Sequence, residues 1–301
     1  MSKKGKSFYQ HLTEHIENIV SLKGRRAADN YYAMKSILEE FCKDKKEPSF
    51  ETVDINFYMD LMDYMIYEKG SAINYAGTVG SKLKAFMNAT YLKKLHTNID
   101  FNQFKKMSED VDTVALEEDE VRQFATAPLT GHWDWVRDIF IVQCFTGLRF
   151  SDAVILQSEN TNKGFLSTRS LKTGKTMMMS INPYVSDILE KYNGFPPQIS
   201  NQKLNKYLKE AAHLAKLKRP VTISTKRKGQ TTKTNYELWE VISSHTGRRT
   251  CFTNMARAGI PLREIKNFSG HSSIALLEKY LKIGNEETAK GLQDHPFFTN
   301  R

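Results

Sequence analysis

Apolar residues recur at intervals of three and four through most of the first 91 positions, which restricts this part of the chain to amphipathic helices. The first such segment, FYQHLTEHIENIV, places on one face Tyr9, Leu12, Ile16 and Ile19. Three more segments repeat the pattern, and the second of the four ends at Pro48. The spacing therefore predicts about four helices that pack as a compact bundle.

The helical periodicity weakens between residues 98 and 114, where polar residues dominate. It restarts in ALEEDEVRQFA, whose acidic residues lie in the first turn, where the helix dipole favours them. A chain of 301 residues is long enough for two domains. We therefore expect a helical domain at residues 1–105, a linker at 106–115 and a second domain at 116–301.

The second domain mixes helical and strand patterns. WDWVRDIFIVQCFTG predicts a helix that ends at Gly147, and LNKYLKEAAHLAKL predicts an amphipathic helix. GFLSTRS and TMMMSIN predict a β-hairpin with its turn around Thr173 and Gly174. PVTIST and TNYELWEVI are strand-like and flank a basic loop, TKRKGQTTK, before the helical segments that follow His245. The expected fold is mainly α with a small β component: a helical bundle followed by a mixed α/β domain.

Charge and cysteine usage narrow the functional class. The net charge is +10, and residues 111–301 carry 27 Lys and Arg against 19 Asp and Glu, so most of the surplus lies in the second domain. A basic surplus favours a polyanionic partner such as nucleic acid, although a merely basic surface remains an alternative.

No apolar run is long enough for a membrane span, and the charged start is not a secretory signal. Three widely spaced cysteines predict neither a disulfide framework nor a zinc site, so we expect a cytoplasmic protein.

Residues able to bind and attack a phosphate are spread through the second domain. In chain order they are Arg149 and Asp152 in TGLRFSD, Lys172 in SLKTGK, His245 and Arg248 in SSHTGRRT, His271 in SGHSS, and Tyr280 in LLEKYLK. Arginine forks match phosphate oxygens and stabilise a pentavalent transition state. Tyrosine can act as a covalent nucleophile when a base or a positive field lies nearby. The set therefore predicts strand cleavage through a phosphotyrosine, with no cofactor or metal.

The spacing of these residues is compatible with one pocket. His245 and Arg248 are three positions apart, so they share a helical face if a helix begins near His245. A short helix between His271 and Tyr280 could bring both to the same site. Arg249 is expected to point elsewhere, as a surface arginine or a contact to the DNA backbone.

The order Arg, Lys, His-x-x-Arg, Gly-His, Tyr resembles the motifs of the tyrosine recombinase (phage integrase) family. Within that family, the residues of these motifs are most similar to those of integrases from Bacteroidetes phages and conjugative transposons. The helical first half is similar to the SAM-like core-binding domain of that family. The resemblance implies that the scissile phosphate is held by Arg149, Arg248 and His271. Lys172 would protonate the 5′-hydroxyl leaving group, His245 would transfer protons near Tyr280, and Tyr280 would form a 3′-phosphotyrosine. Asp152 would orient the neighbouring arginine and histidine.

The same resemblance implies a site-specific recombinase that cuts and rejoins double-stranded DNA through a Holliday junction, for integration or excision of a mobile element. A homotetramer on two DNA sites is expected, with accessory factors that bend DNA or set direction as further candidate partners and no membrane partner. The rival functions are a type IB topoisomerase, a chromosome-dimer resolvase and a DNA-binding protein with an inactive pocket.

Several residue assignments have alternatives. Arg149 could only form a salt bridge with Asp152, and Lys175 lies on the same turn as Lys172. The basic run at residues 226–228 is either a solvated loop or a contact to DNA. Ser269 stands where the family commonly has leucine, and we expect it to change only a packing position.

Overall fold

The computed structural model describes residues 6–156, 161–162, 164–171, 174, 176–228, 230–284, 289 and 293. The chain divides into two compact units. The first comprises Met1–Asp112 together with Ser224–Thr234, and the second comprises Thr113–Ile223 together with Asn235–Arg301. The expected fold class is confirmed, since helices dominate both units and the sheets are small.

The first unit is built on four helices, as the periodicity predicted. They are α1 (Phe8–Lys23), α2 (Arg25–Phe41), α3 (Ile55–Asp63), which continues as a π-helix at Tyr64–Glu68, and α4 (Ile73–Leu92). A capping box between Ser7 and Gln10 begins α1, and the Asp54 carboxylate caps α3. The apolar faces predicted from the sequence meet in one core, in which Leu12, Met34 and Leu38 are fully buried.

The segment after α4 packs on the first unit. A short 3-10 helix at Asp100–Gln103 leads to Phe104, whose ring stacks on Tyr58 at a centroid distance of 4.4 Å. Asn74 of α4 donates to the Glu109 carbonyl at 2.9 Å and accepts from the Glu109 amide at 3.0 Å. The first residues of the predicted 106–115 linker therefore lie against the helical bundle.

The second unit is a helical layer around one long buried helix. Its helices are α5 (Glu118–Ala125), α6 (His132–Thr146), α7 (Phe150–Ala153), α8 (Pro183–Lys191), α9 (Asn201–Leu214), α10 (Leu238–Val241), α11 (Ser244–Arg257), α12 (Leu262–Ser269) and α13 (Ile274–Glu278). Helix α6 ends at Gly147, as predicted, and this glycine adopts the left-handed conformation. Helices α6 and α11 approach closely at Gly247, where an added Cβ would lie 2.9 Å from Gln143 Cβ. Helix α8 was not predicted; Asn182 caps it and Pro183 occupies its first turn.

The predicted β-hairpin is present as part of a three-stranded antiparallel sheet. Strands β1 (Thr161–Asn162), β2 (Phe165–Arg169) and β3 (Thr176–Ser180) lie in that order, with Ser167 opposite Met178. Alternate residues of β2 and β3 are buried, so one face of the hairpin packs on the core of the second unit. The predicted turn residue Thr173 lies outside the described residues.

A second, two-stranded sheet lies where the sequence predicted a loop, and one of its strands ends earlier than predicted. Strands β4 (Pro220–Arg227) and β5 (Gln230–Glu237) include most of TKRKGQTTK, which was expected to be a loop. The loop prediction was wrong because exposed strands paired with each other need no apolar alternation. Strand β5 was expected to run to Ile242, but it ends at Glu237, which forms a capping box with Glu240 and begins α10.

No helix among the described residues is long and apolar enough to cross a membrane.

Candidate active site

Arg248 lies at the centre of the candidate site. Helix α11 begins at the Ser243 cap, where a capping box with Thr246 satisfies the first turn, and this places Arg248 on the buried face. The side chain is 1% exposed. Its guanidinium donates to the Gly147 carbonyl and, through Nη2, to the Ser269 carbonyl at 3.1 Å. Within the described part of the chain, Arg248 Nε has no hydrogen-bond partner. The buried cation therefore retains a donor for a ligand.

His271 is held against Arg248 by the turn that ends α12. Gly270 adopts the left-handed conformation, with φ of 69°, which lets the chain reverse directly before the histidine. His271 Nε2 lies 3.2 Å from Arg248 Nη2, and His271 Nδ1 lies 2.6 Å from Ser269 Oγ. His271 is buried to 9% exposure. Each ring nitrogen of His271 therefore lies within hydrogen-bond distance of a neighbouring side chain, Nε2 of Arg248 and Nδ1 of Ser269.

Tyr280 follows α13 and lies among three rings of the site. Its ring centroid is 5.4 Å from that of His245, 4.9 Å from that of His271 and 6.0 Å from that of Phe252. The Arg248 Cζ atom lies 5.5 Å from the Tyr280 ring centroid. The structure thus brings together the predicted nucleophile, both histidines and the second arginine.

Arg149 is the N-cap residue of the short helix α7, and Asp152 lies inside that helix. Arg149 Nη1 is 3.8 Å from Asp152 Oδ2, so the alternative of an ion pair is realised in this structure. Asp152 is fully buried, and its Oδ1 also accepts from the Leu171 amide at 3.0 Å and from Ser151 Oγ at 3.4 Å. Asp152 therefore ties the first arginine to the residue that directly precedes Lys172 in the chain.

Lys172 itself, and the alternative Lys175, lie outside the described residues. The same is true of most of the C-terminal segment at residues 285–298.

The electrostatics of the site are those of a pocket with excess positive charge. Partial burial of the ring and the nearby guanidiniums of Arg249, Arg248 and Arg149 lower the pKa of His245 to about 4, although the residue keeps exposed surface. Burial and the guanidiniums of Arg248 and Arg149 lower the pKa of His271 to about 4. Burial and Arg149 lower the pKa of Arg248 to about 10. Each shift has the sign expected where cations crowd together, and an anion would relieve all three.

Some residues of the site were not predicted from the sequence. Arg249 was expected to point elsewhere; wherever its side chain points, its positive charge acts on the site, because it helps to lower the pKa of His245. Its i, i+4 spacing from His245 is the signal that could have indicated this effect. Thr253 Oγ1 donates to the Tyr280 carbonyl at 3.4 Å and accepts from the Lys282 amide at 3.2 Å. Such backbone contacts leave no pattern in a single sequence.

Phe252 and Ser269 also contact residues of the candidate site, and the sequence did not predict these contacts. Phe252 is fully buried, and the Arg248 Cζ atom lies 4.7 Å from its ring centroid. Ser269, expected to be only a packing position, is buried as such a residue would be, but its hydroxyl contacts His271.

The arrangement suits one kind of chemistry. A tetrahedral anion beside Arg248 would meet a guanidinium donor, an imidazole and, within the same unit, a tyrosine ring. Neutral imidazoles beside a tyrosine can accept its proton. The site is therefore equipped for attack of a tyrosine hydroxyl on a bound phosphate.

Comparisons with known families match the chain in two places. The Phage integrase family matches residues 115–287, more than half of the chain, and the Phage integrase SAM-like domain matches residues 7–107. Among curated protein sequences, no significant match is found.

Solved structures share the fold over nearly the whole chain. A lambda integrase tetramer bound to a Holliday junction has a TM-score of 0.68 at 14% identity, covering 93% of this chain and 79% of that chain. XerH site-specific recombinase in a post-cleavage complex has a TM-score of 0.66 at 12% identity, covering 94% and 83%. The Tn1549 transposon integrase bound to transposon right end DNA has a TM-score of 0.63 at 14% identity, covering 96% and 99%. At these identities the likeness concerns the fold.

Proposed function

The chain belongs to the Phage integrase family, and from that premise we propose that it recombines double-stranded DNA at specific sites through a tyrosine nucleophile. The motifs that carry Arg149, Lys172, His245, Arg248, His271 and Tyr280 resemble those of integrases from Bacteroidetes phages and conjugative transposons. We therefore propose integration and excision of a mobile element as its role, in the cytoplasm.

One observation carries this proposal. Arg248 is almost completely buried, keeps an unpaired Nε donor among the described residues, and lies within contact of His271 and the Tyr280 ring. Because the Arg248 guanidinium is buried and is repelled by Arg149, it lowers the stability of the folded protein unless a bound anion offsets the repulsion. A phosphodiester is the ligand whose geometry and charge match two such forks.

In the proposed reaction, Arg149 and Arg248 hold the non-bridging oxygens of the scissile phosphate. His271 joins them as a donor once the bound anion raises its pKa and Nε2 takes up a proton. His245 lies beside the Tyr280 ring and is neutral at pH 7. It can therefore accept the phenolic proton as the Tyr280 oxygen attacks phosphorus.

The P–O5′ bond breaks as the phosphotyrosine ester forms, and Lys172 protonates the departing 5′-oxygen. A 5′-hydroxyl of the partner strand then attacks the ester and releases Tyr280. The ester conserves the energy of the cleaved bond, so ATP is not consumed. Asp152 holds in place Arg149 and the backbone at Leu171, just beyond the end of strand β2.

The assembly follows from the need to cut two DNA sites. We propose that residues 1–105 form a core-binding domain and residues 116–301 a catalytic domain, which together clamp the duplex. The lambda integrase of similar fold is a tetramer on a Holliday junction. We propose a homotetramer for this chain as well, assisted by factors that bend DNA or set direction. Contacts with phosphates would make binding weaken as salt rises.

The test uses the DNA that flanks the gene, in which attachment repeats are sought by sequencing. A supercoiled plasmid carrying two such repeats is incubated with the purified protein, and the products are separated by gel. Recombinant circles support the proposal. Relaxation of supercoils without recombinants would instead indicate a topoisomerase, and recombination only with a second recombinase would indicate a dimer resolvase.

A further inference from the structure

Ser269 contributes two oxygens to the site. It is the last residue of α12 and is 2% exposed. Its carbonyl accepts from Arg248 Nη2 at 3.1 Å, and its hydroxyl lies 2.6 Å from His271 Nδ1. The hydroxyl also lies 3.1 Å from the Lys266 carbonyl. A residue at the end of one helix thus contacts both an arginine and a histidine of the proposed phosphate pocket.

The direction of each hydrogen bond follows from what the partners can donate. A carbonyl oxygen only accepts, so the single hydroxyl proton of Ser269 is directed to Lys266. Ser269 Oγ must then accept from His271 Nδ1, and that nitrogen carries the proton.

The other ring nitrogen leads independently to the same tautomer. A guanidinium only donates, so the contact of 3.2 Å between Arg248 Nη2 and His271 Nε2 requires a lone pair on Nε2. The pKa of His271 is lowered to about 4, so the ring is neutral and has one proton to place. Two separate contacts therefore put that proton on Nδ1.

We propose that Ser269 is a positioning residue, whose hydroxyl fixes the Nδ1–H tautomer of His271 so that Nε2 orients the Arg248 guanidinium for the phosphate. The proposal rests on the proposed function for its consequence in catalysis, but the tautomer itself can be measured in the free protein. With the hydroxyl removed, the Nε2–H tautomer becomes accessible. That tautomer sets two donors face to face between His271 and Arg248 and disturbs the guanidinium.

The first arm of the test is spectroscopic. The full-length protein is labelled with ¹⁵N-histidine, and the nitrogen shifts of His271 are assigned by comparison with His271→Gln. The proposal expects wild-type His271 to be protonated at Nδ1 and unprotonated at Nε2. In Ser269→Ala it expects population of the Nε2–H form. Ser272→Ala serves as the matched control, because Ser272 is the exposed serine on the other side of His271.

The second arm measures function with the same variants. The rate of covalent adduct formation is followed on a nicked DNA substrate, which traps the intermediate. Ser269→Ala is expected to slow this rate by about tenfold, the loss typical of one buried hydrogen bond. Ser269→Thr, which keeps the hydroxyl, should restore both the tautomer and most of the rate. Thermal melting of each variant separates this effect from loss of folding.

The outcomes distinguish the two proposals. Wild-type His271 protonated at Nε2, or a Ser269→Ala protein with unchanged tautomer and unchanged rate, overturns the role of Ser269. A wild-type protein that forms no adduct refutes the proposed function instead. In that case the spectroscopic arm still decides whether Ser269 sets the tautomer.

Discussion

The imidazole of His245 lies 5.4 Å from the ring of Tyr280, centroid to centroid, although 35 positions separate the two residues in the chain. Helix α11 carries the first, and the turn after α13 carries the second. The proximity of a neutral base to the proposed nucleophile depends on a few backbone contacts around Tyr280.

Replacement of Thr253 by valine should slow adduct formation by about tenfold. The Thr253 hydroxyl bridges the Tyr280 carbonyl and the Lys282 amide, so its loss frees the backbone that carries the nucleophile. The rate is measured on a nicked DNA substrate, with Thr253→Ser as the variant that retains the bridge. Equal rates for the valine and serine variants would show that the bridge does not position Tyr280.

Gly147→Ala should destabilise the protein by about 3 kcal/mol. Gly147 has φ of 62°, and an added Cβ would lie 2.5 Å from Phe252 Cε1, beneath Arg248. Gly259→Ala is the control, since Gly259 also has positive φ, of 78°, but no atom lies within 4 Å of its added Cβ. That variant should lose only about 1 kcal/mol.

Urea unfolding of the two glycine variants gives the comparison. Similar losses for both would mean that only backbone strain matters at Gly147 and that the contact with Phe252 is readily relaxed.

Replacement of Arg248 by lysine should lower the adduct rate by about 100-fold or more. Lysine keeps a charge but cannot reproduce the fork that donates to the Gly147 and Ser269 carbonyls while leaving Nε free. Arg263→Lys, on an exposed position of α12, is the matched control and should retain the wild-type rate. An Arg248→Lys protein as active as wild type would contradict a phosphate contact that depends on guanidinium geometry.

Stability should decrease as pH falls between about 6.5 and 4. The pKa values of His245 and His271 are lowered to about 4 in the folded protein, whereas an unfolded chain has histidine pKa values near 6.5. The unfolded state therefore binds more protons within that window, and acidification favours it. The contribution is complete above about pH 6.5 and is lost as pH approaches 4.

Melting temperatures across this pH range check the prediction. Carboxylates also titrate near its lower end, so the informative quantity is the difference between wild type and His245→Asn. The variant should show the shallower dependence, because it lacks one of the two shifted groups. Parallel curves would mean that His245 is not shifted.

The helices could be predicted because their apolar faces repeat in the sequence and their ends carry local signals, such as Gly147 after α6. The motifs also predicted that His245, His271 and Tyr280 share one pocket, and in the structure the rings of both histidines lie close to that of Tyr280. Contacts made across the fold leave no such signal. Gly270 marks the end of α12, but the contact between the Ser269 hydroxyl and His271 depends on where two side chains lie in three dimensions, and a single sequence has no pattern for that.

The basic segment TKRKGQTTK, where β4 and β5 meet, escaped prediction as strand for a different reason. The residues of the two strands are mostly exposed on both faces, so the alternation that marks a half-buried strand is missing. The assignments of Lys172 as leaving-group acid and of the domain limits remain predictions.

Trapping the covalent intermediate shows whether Tyr280 is the nucleophile. Wild-type protein is incubated with a nicked duplex that carries its recombination site, and the denatured products are digested and analysed by mass spectrometry. We expect a DNA 3′-phosphate joined to Tyr280, and no adduct for Tyr280→Phe. A wild-type protein that forms no adduct on DNA it recombines, or an adduct that persists in Tyr280→Phe, would contradict this role.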